Sequence, residues 1–107
     1  MDLTITSEQD ASSRTVVTAV GAIDLATRGE LLDVGRAALN DAAVTGLVLD
    51  LAGVSFIDST GIGVLVELAG DAVDAERSFA IANPSARVSR ILEVTGLLGE
   101  WRIEADR

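Results

Sequence analysis

The chain is 107 residues long and 49% hydrophobic, enough for one domain around a single core and too short for two. Seventeen acidic residues against eight basic ones, all arginine, leave a net charge of -9, which argues against a nucleic-acid or anionic-membrane surface and toward basic partners. His and Cys are absent, so Ser-His relays, thiolate nucleophiles, disulfide frameworks and the usual zinc ligand sets are excluded, and carboxylates are the only acid-base groups left.

Met1-Asp2-Leu3-Thr4 has neither the basic segment nor the apolar run of a secretory signal. Charged residues or glycine break every apolar run well short of the roughly 20 residues that span a bilayer, so a cytoplasmic protein without a membrane segment is expected. Leu3-Thr4-Ile5-Thr6 and Thr15-Val16-Val17-Thr18-Ala19-Val20 alternate as strands do, and the polar patch from Ser7 to Ser13 reads as the hairpin turn between them. Thr27-Arg28-Gly29-Glu30 has the spacing of a capping box. Leu31, Leu32, Gly35, Ala38, Leu39 and Ala42 then follow at helical spacing, predicting a helix of roughly four turns. Leu47-Val48-Leu49-Asp50-Leu51 alternates little, as expected of a strand covered on both faces at the sheet centre.

After a predicted loop from Ala52 to Asp58, the residues Ile62, Leu65, Val66, Ala69, Ala72 and Val73 mark the expected core face of a second helix. Ser78-Phe79-Ala80-Ile81-Ala82 reads as the next strand. Asn83-Pro84 reads as a cap followed by proline at the first position of a third helix, which stops near Gly96. Val88, Ile91 and Leu92 would face the core, and Trp101-Arg102-Ile103 is a candidate final edge strand. The order β-β-α-β-α-β-α predicts an α/β domain: a mixed central sheet with parallel β-α-β crossovers and three to four helices packed on it.

The most informative segment joins the central strand to the second helix: Val54, Phe56 and Ile57 form an apolar plug, and Asp58-Ser59-Thr60-Gly61 opens the helix. In this place the side chain of Asp58 or of Ser59 can accept from the orphan amides of the first turn, and spacing does not choose between them. A phosphate cradle is a second reading, because helix N-termini bind anions. It lacks the Walker lysine, and Asp58 puts a negative charge where the phosphate would sit.

The stretch from Leu49 to Leu65, with Phe56-Ile57-Asp58-Ser59-Thr60-Gly61-Ile62-Gly63 at its heart, resembles the signature of the anti-anti-sigma factor (anti-sigma factor antagonist) family, whose domain is called STAS. Gly21-Ala22-Ile23-Asp24 is similar to the family's Gly-Glu-Leu/Ile-Asp turn. The stretch from Asn83-Pro84 to Ile91-Leu92-Glu93-Val94-Thr95-Gly96-Leu97 resembles its third-helix region. Together these matches cover nearly all of residues 1–107, in order, so one STAS domain is expected. The resemblance implies a protein that binds an anti-sigma factor with serine-kinase activity and frees a sigma factor. It implies Ser59 as the residue that this kinase phosphorylates, and a metal-dependent phosphatase that restores it. Thr60 stands where the family allows Ser or Thr, whereas Ala22 replaces the usual Glu and puts any partner contact there in doubt.

A phosphate adds about -1.5 to -2 charges. At the start of a helix the dipole offsets part of that, by roughly 0.3 to 2 kcal/mol, so the fold should survive. A desolvated phosphate at an interface can cost several kcal/mol, and each 1.4 kcal/mol is tenfold in affinity. Asp24 and Asp58 are the carboxylates placed at this site, with capping or turn-forming as their plainer roles. Gly61, Val64 and Leu68 form a second ridge on the helix, which reads either as packing beneath a neighbouring loop or as an apolar partner contact beside Ser59. On the second alternative, Leu68→Glu abolishes partner binding and leaves stability nearly intact. Trp101 is expected to lid one end of the core. No catalytic residue, cofactor or metal ligand is expected in this chain. Two other classes of function compete: an unregulated STAS subunit of a transporter or stress-signalling assembly, and a nucleotide-binding enzyme using Asp58 and the amides near Gly61.

Overall fold

The computed structural model describes residues 2–105. Its elements are β1 (Leu3–Gln9), β2 (Arg14–Ile23), α1 (Arg28–Leu39), β3 (Gly46–Ile57), α2 (Ser59–Asp74), β4 (Ser78–Ala82), α3 (Ala86–Val94) and β5 (Arg102–Glu104). The strands form one sheet in the order β1-β2-β3-β4-β5. β1 is antiparallel to β2, and the other neighbouring pairs are parallel. Each parallel step proceeds in the same direction, so right-handed crossovers set the helices on one face of the sheet. The residues that face them, including Val17, Leu47, Leu49, Leu51 and Ile81, form the main core with Leu31, Leu65, Leu68, Val88 and Leu92. β3 lies at the centre, as its apolar run predicts.

The opposite face holds a smaller cluster made of strand residues only, Val16, Val48, Ala80 and Ala82. Arg14 spans this face from the start of β2, bonding Glu104 on β5 at 2.7 Å and Asp10 in the hairpin at 2.8 Å. Desolvation pushes the Asp10 carboxyl up, but the amides of Arg14 and Ser12 and the Arg14 guanidinium together hold it below the ordinary range.

Several boundaries differ from those that periodicity predicts. Ser7 to Gln9 continue β1, and only Asp10 to Ser13 turn: Asp10 Oδ1 accepts from the amides of Ser12 and Arg14, and Ser13 takes a positive φ of 64°. α1 ends at Leu39, leaving Ala42 outside it and exposed. The capping box does not form. Thr27 caps α1 without a side-chain bond to it, because its hydroxyl turns back to donate to Ala22 O at 2.8 Å. The predicted third-helix cap moves too: Asn83 takes a positive φ of 47°, Pro84 precedes the helix, and Ser85 is the cap, accepting from Val88 N. Past Thr95, Gly96 adopts φ 78°, and the Gly96 and Leu97 amides bond back to Glu93 O and Leu92 O, which ends α3 where expected.

The largest correction concerns residues 52–57, which belong to β3 and not to a loop. The register against β2 slips twice here, from Thr18↔Asp50 to Val20↔Gly53 and from Gly21↔Val54 to Ala22↔Phe56. Each slip puts an extra residue into β3. Such bulges break the two-residue alternation by which a strand is recognised and bend the chain toward the helix that follows.

Candidate functional site

β2 and β3 end side by side, and α2 starts from that end of the sheet. Asp58, with extended backbone (φ -112°, ψ -171°), is the N-cap: its Oδ1 accepts from Gly61 N at 2.9 Å and its carbonyl accepts from Ile62 N at 3.0 Å. Its own amide donates to Ile23 O at 3.4 Å, tying the turn to the end of β2. Asp58 therefore takes the capping role that the sequence left open between it and Ser59. Ser59 becomes the first helical residue, exposed, with no side-chain hydrogen bond to any described residue. Thr60 follows, half-buried.

Gly61 is buried for a steric reason. A Cβ at this position would lie 2.5 Å from Ile23 O and 2.7 Å from Ile57 Cγ1, so α2 can start this close to β2 only because residue 61 has no side chain. Val64 and Leu68 are also fully buried. These three residues are thus not a partner surface, and the apolar-contact reading of that ridge is corrected: it is core. Leu68 fills the notch in α1 left by Gly35, where a Cβ would come within 2.6 Å of Leu68 Cδ2. Val66 and Val73, expected in the core, are 47% and 74% exposed. α2 is apolar around most of its circumference, so periodicity supports two overlapping stripes, and packing against α1 chooses one.

Asp24 shapes the neighbouring β2–α1 loop. Its Oδ1 accepts from the amides of Ala26 (3.0 Å) and Thr27 (3.1 Å), and its carbonyl accepts from Arg28 N at 2.9 Å. This is the turn role, with the carboxylate engaged by the loop it organises. The loop it builds presents Leu25, 75% exposed, which sequence reasoning missed. The available signal was a leucine inside a polar turn, off both helical and strand periods. Because Ile23 O accepts from Asp58 N, the loop that carries Leu25 and the first turn of α2 that carries Ser59 start from the same end of the sheet. Ala22 is 1% exposed, so its side chain reaches no partner.

Phe56 completes this rim. Val54 and Ile57 of the apolar plug are buried, while Phe56 stays half-exposed beneath the Arg87 guanidinium, 5.7 Å from the ring centroid. Among the described residues no group of three or more acidic side chains is placed to hold a metal ion. The amide that a nucleotide phosphate would need at the start of α2 is occupied by Asp58. What the rim offers is an exposed primary hydroxyl at a helix N-terminus, at the same end of the sheet as an exposed leucine.

Comparison with known proteins agrees with this frame. A family model described as "Mlab, STAS domain" matches residues 6–103. No curated protein matches the sequence. An anti-sigma factor antagonist from Mycobacterium paratuberculosis has a similar solved structure, at TM-score 0.84 and 25% identity over 96% of this chain and 86% of that one. The unphosphorylated anti-sigma factor antagonist SpoIIAA is similar at TM-score 0.80 and 21% identity, over 97% and 89% of the two chains. Phosphorylated SpoIIAA of Bacillus is similar at 0.76 and 20%, over 97% and 92%. The matched family model spans the sheet, the helices and the Ser59 turn together, and this chain belongs to the STAS-domain family, with the fold of the anti-sigma factor antagonists.

Proposed function

We propose that this chain is a cytoplasmic anti-sigma factor antagonist switched at Ser59, a regulatory binding protein and not an enzyme. In its unphosphorylated form it binds an anti-sigma factor that is itself a serine kinase, so that a sigma factor is released. Phosphorylation of Ser59 by that kinase ends binding, and a metal-dependent serine phosphatase reverses it. The observation that carries this reading is the division of labour at the start of α2: Asp58 does the capping, which leaves the Ser59 hydroxyl exposed and unbonded.

A phosphate there meets open solvent and the positive end of α2, so the fold tolerates it. That SpoIIAA has been solved both with and without its phosphate, on the fold of this chain, supports that tolerance. At an interface the same group lies beside Asp24, Asp58 and the apolar Leu25, and desolvating it there is costly. The contact surface is proposed to be Leu25, Ser59 and Thr60, with Asp24 and Asp58 shaping the loops that present them.

The test is an affinity pull-down from the native cell extract comparing Ser59→Ala with Ser59→Glu, together with intact mass after incubation with ATP and the captured kinase. The Ala form is expected to retain a kinase partner, the Glu form to lose it, and the wild-type chain to gain one phosphate at Ser59. Equal recovery by both variants would sink the switch and favour an unswitched subunit of a larger assembly. ATP turnover by the isolated chain, lost in Asp58→Ala, would instead favour an enzyme. Leu25→Asp is expected to weaken capture at least tenfold, about 1.4 kcal/mol, while stability changes by less than about 0.5 kcal/mol because the side chain packs against little. Unchanged capture would remove Leu25 from the interface.

A further inference from the structure

The apolar stripe of α2 that the core does not use is not simply solvated. Val66, Ala69 and Val73 form one wall of an open groove of about 640 Å³, whose other side is built by Phe79 at the start of β4 and by Trp101 just before β5. The two rings meet edge to face, with centroids 5.5 Å apart. The groove lies toward the far end of α2 from Ser59: at 1.5 Å per residue, Val66 is about 10 Å and Val73 about 21 Å along the helix axis from the proposed switch. It is a separate place on the molecule, within the size range of small-molecule sites.

Arg77 lines the same groove. Arg14, Arg28, Arg36 and Arg102 each pair with a carboxylate, whereas Arg77, like Arg87 and Arg90, pairs with none among the described residues. One of its Nη groups donates to Ala75 O at 2.8 Å, and its Nε is buried without any acceptor. The buried Nε is closed to solvent and to any ligand, so a ligand in the groove meets the guanidinium through its Nη groups. The other charged lining groups are Glu100, which forms no ion pair among the described residues, and Arg102, engaged with Glu104 at 3.2 Å, so Arg77 is the cation of the groove without a carboxylate partner. An aromatic and aliphatic trough ending at a guanidinium without a carboxylate partner is complementary to an apolar body with an anionic head, of which a carboxylate is the simplest.

We propose that the groove between α2 and the segment leading into β5 binds an amphipathic carboxylate of the alkanoic-acid type, its head on Arg77 and its chain along Val66, Val73, Phe79 and Trp101. Gly70 also lines the groove. A Cβ there would meet nothing within 4 Å, so a larger side chain can be introduced into the trough without disturbing the packing.

Trp101 is the only tryptophan, so its emission reports on the groove directly. The full chain is titrated with decanoate below its micelle concentration, and in parallel with decyltrimethylammonium, which has the same tail and the opposite charge. Decanoate is expected to change Trp101 emission saturably, and the ammonium is not. Arg77→Met is expected to weaken decanoate at least tenfold and Gly70→Leu to abolish the response, each with its thermal transition retained, while Ser59→Ala binds as wild type. No saturable response to decanoate overturns the proposal, as does an equal response to both tails or one unaffected by Arg77→Met and Gly70→Leu. A dimer in sedimentation that Val73→Glu dissociates would give the groove to a second copy of the chain and overturn it as well.

Discussion

Leu68→Glu is expected to abolish cooperative folding, and partner binding only as a consequence. Leu68 is fully buried and seated against Gly35 of α1. Losing a buried leucine costs about 2 to 5 kcal/mol, and burying a carboxylate in its place adds several more. Domains of this size have about 5 to 15 kcal/mol in total, so the substitution consumes most or all of it. Thermal denaturation followed by circular dichroism checks this: the variant should show no native transition, or one lowered by tens of degrees. Val73→Glu, on the same helix but 74% exposed, should melt within a few degrees of wild type. If Leu68→Glu folded normally and lost only its partner, Leu68 would not be the residue that packs α2 against α1.

Two glycines in the first turn and a half of α2 should respond to alanine with opposite signs. At Gly63 a Cβ meets nothing within 4 Å, so Gly63→Ala should stabilise by about 0.5 to 1 kcal/mol through backbone entropy and helix propensity. Gly61→Ala collects the same benefit but drives its Cβ into the Ile23 carbonyl, and a backbone atom cannot rotate away as a side chain can. Overpacking costs about 1 to 3 kcal/mol, so a net loss of up to about 2 kcal/mol is expected, roughly 8 to 16 °C in melting temperature. The functional consequence is larger than the stability change. Relieving the clash must push the start of α2 away from β2, and the bond from Asp58 N to Ile23 O, already long at 3.4 Å, is the one that gives. Ser59 then moves relative to Leu25. Gly61→Ala should therefore lose partner capture under conditions where it is still folded, and Gly63→Ala should keep it. Matching melting shifts for the two variants would show that residue 61 tolerates a side chain.

The site was legible in part because its chemistry is local. A polar tripeptide after an apolar plug and before a helix announces a helix N-terminus, and the flanking matches at Gly21 to Asp24 and Asn83 to Leu97 pointed to the family that the model over residues 6–103 then showed. Whether Asp58 or Ser59 caps could not be read from spacing, since both side chains can reach an orphan amide. The extended backbone at Asp58, imposed by its tie to β2, gives it the cap. Leu25 stayed hidden because exposure in a turn leaves no periodic trace.

The sequence by itself determined the order of elements, the central place of β3, the helix breaks at Gly96 and the position of the Ser59 turn. Each of these depends on residues near one another in the chain: alternation, an apolar run, a positive-φ glycine, a capping carboxylate. Only the tertiary structure decided which stripe of α2 is core. Val64 and Leu68 face the same kind of periodic neighbours as Val66 and Val73, and the choice rests on Gly35, some 30 positions earlier, whose missing side chain makes room for Leu68. The same packing that took Val64 and Leu68 away from the partner surface left Val66 and Val73 to line the groove.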